Sequence, residues 1–247
     1  MHYQTVSAAA GNASLTVTTW LLVVSAAVCQ PALSQDSATN PAAETREAET
    51  SADPEFVVEP GFTPLFDGRL LSGWEGNAAW FRVEQRAIVG GNLQDKIPHN
   101  YFLCTTREFG DFDLRLQVKT VGEGANGGIQ FRSRRIAGSE EVSGYQADVG
   151  GIGERLIWGS LYDESRRRRF VAEAAPEVIK PLVKPDDWND YRIRCVGPKI
   201  ELFVNGQRTV EYTEPDDTIP QTGIIGLQIH SGPATEVWYR HLRIKTL

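Results

Sequence analysis

Asn126-Gly127-Gly128-Ile129-Gln130-Phe131-Arg132-Ser133 alternates apolar and polar side chains, as do Gly144-Tyr145-Gln146-Ala147-Asp148 and Gly226-Leu227-Gln228-Ile229-His230-Ser231-Gly232. Side chains of a strand point to opposite faces with period two. Ile129 and Phe131 therefore face one way, and Gln130 and Arg132 the other. Leu227 and Ile229 oppose Gln228 and His230 in the same manner, and Ala147 opposes Gln146 and Asp148. Three strands in one sheet would gather these polar residues into a patch of hydrogen-bonding and titratable groups. Such a patch suits a polyhydroxylated ligand, a sugar.

The same pattern fills the sequence outward from these three runs. From Asp111 to Lys119, Phe112, Leu114, Leu116 and Val118 oppose Asp113, Arg115, Gln117 and Lys119. Tyr191, Ile193 and Cys195 oppose Arg192 and Arg194. Gly197-Pro198 marks a turn. Asn205-Gly206 is the strongest short hairpin signal, and joins Lys199–Val204 to Arg208–Tyr212. Thr222–His230 and Val237–Ile244 supply the last strands. Helical periodicity is weak, and only Ser165–Ala174 offers a turn or two of helix. Many short strands with Gly, Pro and Asn punctuation predict an all-β antiparallel sandwich.

The chain has 247 residues and a formal net charge of −7. Its first 34 residues hold no Asp, Glu, Lys or Arg. Trp20–Val28 is apolar but too short for a membrane span, and Ala32-Leu33-Ser34 places small residues at a cleavage site. Residues 1–34 therefore read as an export signal, although the leading segment lacks Lys and Arg. Cys29 raises a lipoprotein reading, which Val28 disfavours. Residues 35–55 are polar, Ala-rich and acidic and read as a disordered linker. The folded domain is expected over 56–247, exported to the periplasm or the exterior. The acidic balance argues against non-specific nucleic-acid binding. Cys104 and Cys195 form either a disulfide or two buried small hydrophobes, with the second favoured.

These residues carry a resemblance. Gly61-Phe62-Thr63-Pro64-Leu65-Phe66-Asp67-Gly68 with Leu71-Ser72-Gly73-Trp74, Gly110-Asp111-Phe112-Asp113-Leu114, Asn126–Arg132, Trp188-Asn189 with Asn205-Gly206, and Gly226–His230 with Arg240 and Ile244 follow one another in order. Together they resemble the 3-keto-disaccharide hydrolase family over about residues 60–247. The resemblance implies a concanavalin A-like jelly roll and cleavage of glycosides already oxidised to a ketone at sugar C3. Where the family commonly has Tyr-Glu-x-Gln-x-x-Asp, this chain has Tyr145-Gln146-Ala147-Asp148-Val149-Gly150, so its substrate need not be the family's named one.

A ketone at C3 acidifies the C2 proton. A base removes it, the enolate expels the C1 substituent, and water adds back. The site needs a base, a stabiliser of the enolate oxygen and an acid for the leaving group. His230 has the right intrinsic pKa for the base. Asp148 competes for that role or orients His230, and Arg132 is the candidate for stabilising negative charge, or an ion-pair partner of Asp148. Gln130, Tyr145, Gln146, Tyr162 and Gln228 are candidates to bind hydroxyls. Trp158 is the candidate to stack on a sugar, with Trp74 and Trp188 more readily assigned to packing. Glycine in Asn126-Gly127-Gly128 permits a tight strand start or close approach of a ligand. Arg166–Arg169 beside Asp163 and Glu164 is a solvated loop, a set of ion pairs or an anion clamp. Asp163 and Glu164 are adjacent and should point apart, unlike a glycosidase carboxylate pair. No HxH, HExxH or CxxC spacing is present, so no metal or other cofactor is expected, with calcium held by Asp and backbone oxygens left open. The partner is a sugar or glycoside. A non-catalytic carbohydrate-binding module is the alternative, because the same face serves both.

Overall fold

The computed structural model describes residues 56–247, so the export signal, the linker and Cys29 lie outside the described residues. The strands are β1 (Thr63–Pro64), β2 (Trp74–Glu75), β3 (Phe81–Glu84), β4 (Ala87–Gly91), β5 (Tyr101–Phe109), β6 (Phe112–Val121), β7 (Asn126–Arg135), β8 (Val142–Ile152), β9 (Arg155–Leu156), β10 (Leu161–Glu164) and β11 (Arg169–Ala172). A short helix, α1 (Pro176–Leu182), precedes β12 (Asn189–Val196), β13 (Lys199–Val204), β14 (Gln207–Thr213), β15 (Gly223–Ile229) and β16 (Glu236–Thr246).

Two antiparallel sheets form the sandwich. The first runs β14-β13-β12-β6-β16-β4-β3 with β1 beside β16, and the second runs β11-β10-β8-β7-β15-β5-β2 with β9 beside β8. The three strands read first in the sequence, β7, β8 and β15, are thus neighbours at the centre of the second sheet. Their apolar phase points inward: Ile129, Phe131, Ala147, Leu227 and Ile229 pack with Leu114, Leu116, Ile193, Leu202 and Ile244 of the first sheet in one core. Fully burying such a side chain is worth about 1.5–3 kcal/mol, and a register slip of one residue would turn the whole set outward.

The helical expectation over Ser165–Ala174 is corrected. That stretch is a turn followed by β11, paired antiparallel with β10. The helix lies further on, where Pro176 sits at its start with φ already preset for a helical turn. The Asn205-Gly206 hairpin forms as read, with φ of 47° and 82°, the left-handed values of a type I′ turn.

Cys104 and Cys195 are buried free thiols, and burial pushes each up to about 12. They lie on different sheets, Cys104 on β5 and Cys195 on β12.

Candidate functional site

The polar phase of β7, β8, β10 and β15 lines the outer face of the second sheet. Register places Gln130 opposite Gln146, Gly128 opposite Asp148, Gln228 opposite Gly128 and Tyr162 opposite Gln146. A cavity of about 240 Å³ opens over this face, lined by Asn100, Asn126, Gln146, Asp148, Ile152, Ile157, Tyr162, Glu164, Phe170 and His230. Of the residues proposed from the sequence, Gln146, Asp148, Tyr162 and His230 meet there, with Gln228 alongside through its contact with Glu164.

A buried hydrogen-bond relay holds the floor. Ser133 Oγ donates to Gln130 Oε1 (2.7 Å), Gln130 Nε2 donates to Gln146 Oε1 (2.6 Å), and Gln146 Nε2 donates to Asp148 Oδ1 (2.6 Å). Each amide is used at both ends, which fixes its orientation. Gln130 is fully buried and positions Gln146 from beneath the floor. Gly128 makes room for this relay: a methyl group there would stand 2.6 Å from Gln146 Cδ. The close approach that glycine permits at this position is that of a neighbouring side chain, in keeping with a tight strand start.

Asp148 is 2% exposed. Burial pushes its carboxyl well above the usual range, Glu164 adds to the shift, and the bond from Gln146 and the charge of Arg155 oppose it. Its main chain is tied by Asp148 N–H to Ser160 O, Gly159 N–H to Asp148 O and Tyr191 Oη to Asp148 O. Glu164 is raised as well, by burial first and then by the charge of Glu141. Both carboxyls are thereby biased toward the protonated form, which can donate a hydrogen bond.

His230 stands just past the end of β15, its N–H donating to Asn126 O. Its Nδ1 lies 2.7 Å from Ser231 O. A carbonyl only accepts, so Nδ1 carries the hydrogen, which leaves Nε2 as the acceptor of the neutral form of the ring. The charged neighbour of His230 is Glu141, whose carboxyl burial raises while Asn100 and His230 favour its ionised form. Three of the four buried side-chain polar atoms without a partner among the described residues lie here, Asn126 Oδ1, Gln228 Oε1 and Glu141 Oε2, the fourth being Arg166 Nη2. All three are acceptors, the complement of ligand hydroxyl donors.

Four sequence candidates lie elsewhere. Arg132 adopts φ of 48° at the bulge between Phe131 and Arg134. The bulge breaks the strict alternation and sends the guanidinium to Asp111 Oδ1 (2.8 Å), Gly197 O (2.7 Å) and Gly110 O (3.4 Å). It is neither a partner of Asp148 nor a group of the pocket. Tyr145 faces inward, stacked on Phe131, with its hydroxyl donating to Glu214. Trp158 is buried against Tyr191. Gln130, as described, lies below the floor.

Arg166 and Arg167 of the arginine run form ion pairs. Asp163 is fully buried and accepts from Arg166 and Arg167. Against the cost of burial, Arg167 and Tyr145 hold Glu214 down at about 2. Asp163 and Glu164 do point apart, only the latter entering the pocket. Trp74 is buried with its Nε1 on Leu65 O, and Trp188 is covered by Lys119 and Arg240.

The sequence reading missed Glu164 as a site residue, although it shares the phase of Tyr162 two residues earlier. It also missed Ile152, at the far end of β8, and Asn100, Ile157 and Phe170, which come from loops and a short strand without a long periodic run. Among the described residues, no group of three His, Cys, Asp or Glu is placed to hold a metal ion, and no helix is long and apolar enough to cross a membrane.

Solved structures share this fold. A provisionally assigned glycosyl hydrolase from Parabacteroides distasonis is similar with a TM-score of 0.58 and 17% identity, covering 76% of this chain and 94% of its own. A Bacillus subtilis protein with a galectin-like fold gives 0.54 at 14% identity over 75% and 94%. The carbohydrate-binding module CBM66 of Bacillus subtilis gives 0.53 at 14% identity over 70% and 96%. At these identities the likeness is one of fold, a concanavalin A-like jelly roll. No curated protein matches the chain. The family described as 3-keto-alpha-glucoside-1,2-lyase-like domains matches residues 61–245, three quarters of the sequence, and the chain belongs to that family.

Proposed function

We propose that the protein cleaves 3-keto-glycosides in the pocket over β8, β10 and β15. The observation that carries this reading is the meeting of His230, whose Nδ1 is engaged by Ser231 O, with the buried carboxyl of Asp148 and with Glu164 in one cavity. His230 Nε2 takes the C2 proton. Glu164, beside Gln228, donates a hydrogen bond to the C3 oxygen as the enolate forms, the role a protonated carboxyl can fill when burial raises it. The enolate then re-forms the ketone and expels the C1 oxygen, which takes its proton from Asp148. A C1=C2 double bond results. Water adds its oxygen to C1, a proton returns to C2, and the net change is hydrolysis. Arg132 is tied to Asp111, so negative charge on the enolate is met by neutral donors. Asn126 and Gln228 oxygens accept from substrate hydroxyls. The leader-like residues 1–34 support an exported enzyme.

A binding module is the second reading, favoured by the likeness in fold to CBM66. A chromogenic 3-keto-glucoside and its unoxidised glucoside, offered to the purified protein, separate the two. Release from the keto compound alone supports the elimination. Release from neither, with sugar binding seen by calorimetry, leaves the binding module.

A further inference from the structure

The pocket has two unlike walls. One carries Asn100, Asn126, Glu164 and His230, with the unpaired acceptors of Asn126 and Gln228. The other carries Ile152, Ile157, Phe170 and Tyr162. Tyr162 and Phe170 meet edge to face, with ring centroids 5.2 Å apart. Ile157 is buried, whereas Ile152 stands 56% exposed at the mouth. Ile152 pairs with Arg155 across the β8–β9 hairpin, so both project from one face of it. The Arg155 guanidinium lies 5.0 Å over the Phe170 ring and is neutralised by Glu173. The hairpin and β11 therefore bring Ile152 and Phe170 to one lip as an apolar strip, with the Arg155–Glu173 ion pair beside it. A cavity of about 240 Å³ holds one pyranose ring and little more. A substituent that leaves the floor on the side of the hairpin passes along this lip.

We propose that the leaving alcohol is apolar, an aryl or alicyclic aglycone rather than a second sugar, with Ile152 and Phe170 as the residues that select it. This rests on the elimination reading above. The pyranose belongs on the polar wall, where acceptors wait for hydroxyls. Asp148 on the floor lies between the walls and on the strand that runs into the hairpin, where the glycosidic oxygen needs its proton. A second sugar on the lip would lose water from hydroxyls that Ile152, Ile157 and Phe170 cannot pair, a strong source of discrimination. An apolar ring there would instead cover Ile152.

The test compares two 3-keto-glucosides, one with cyclohexanol and one with glucose as the leaving group, both alcohols and so not separated by the acidity of an aryl group. The expected kcat/KM favours the cyclohexyl compound by about tenfold or more. Ile152→Asn and Phe170→Leu should each remove most of that preference through KM and leave the disaccharide within about twofold. Equal rates, or equal losses on both substrates, overturn the inference while leaving the reaction standing. If neither compound turns over, the reaction reading falls, and calorimetry with the unoxidised glycosides decides the lip. Tighter binding of cyclohexyl glucoside than of the disaccharide, lost in Ile152→Asn, sustains it. Equal binding overturns it.

Discussion

Replacing Asp148 by Asn should make the protein more stable and inactive. Asp148 is 2% exposed, and burial is the foremost reason its carboxyl is raised well above the unfolded value. Between the unfolded and folded values the native state keeps a proton that the unfolded chain has released. Stability therefore falls as pH rises through that window, by about 1.4 kcal/mol per pH unit. Asn keeps the shape and still accepts from Gln146 Nε2, but it does not titrate. The backbone bonds to Gly159, Ser160 and Tyr191 do not involve the carboxyl. Urea unfolding of both proteins from pH 4 to pH 8 isolates this group, because the other titrations cancel in the difference. The advantage of Asp148→Asn should be smallest at pH 4 and grow at about that slope until the folded carboxyl ionises. Its turnover should drop by about two to four orders of magnitude, since an amide cannot deliver a proton to the leaving group. A difference that stays flat across the range, or that favours the wild type more as pH rises, would refute the buried protonated carboxyl and the acid role built on it.

Other expectations follow from the same geometry. His230→Ala should lower turnover by about two orders of magnitude or more with little change in urea midpoint, because the side chain bonds only to the adjacent Ser231 carbonyl. Arg132→Met should cost about 2–3 kcal/mol by removing the cation from Asp111 and the donors from two carbonyls, the cost being moderated by the partial exposure of Asp111 and by the bond it keeps from Gly197 N–H. Its kcat should be unchanged, and a loss of kcat without loss of stability would return Arg132 to the site. Gly128→Ala should destabilise by about 1–3 kcal/mol and lower kcat, since the new methyl displaces the Gln146 side chain that orients Asp148. A thiol reagent should label neither Cys104 nor Cys195 in the native protein at pH 8, and both after unfolding. Rapid native labelling would contradict their burial.

The strands and their inward faces were readable in the sequence because period-two alternation is a local property. Phe112 to Lys119, Tyr191 to Cys195 and Leu227 to Ile229 each declare a face without reference to any partner. The Asn205-Gly206 turn declares itself equally, since only such residues tolerate two left-handed conformations in succession. The same parity placed Gln146, Asp148 and Gln228 on one side, and Tyr162 and His230 were found by residue type and motif. It misplaced Arg132, because a single residue at φ of 48° ends the alternation that the argument assumed. Tyr145 was named for its hydroxyl, yet its parity with Ala147 already turned it inward. Trp158 was named for its ring, and burial against Tyr191 was invisible until β8, β10 and β12 came together.

The sequence by itself determined an antiparallel sandwich, its hydrophobic phase, its family and the polar face that carries the chemistry. Tertiary structure alone decided which polar groups share a cavity and in which direction their acidities move. Asn100, Asn126, Ile152, Glu164, Phe170 and His230 are far apart along the chain and meet only through the pairing order of the second sheet. The Asp148 and Glu164 carboxyls are raised by desolvation first, and then by the charge of Glu164 on Asp148 and of Glu141 on Glu164. Those are through-space properties of a folded environment, and a one-dimensional pattern does not encode them.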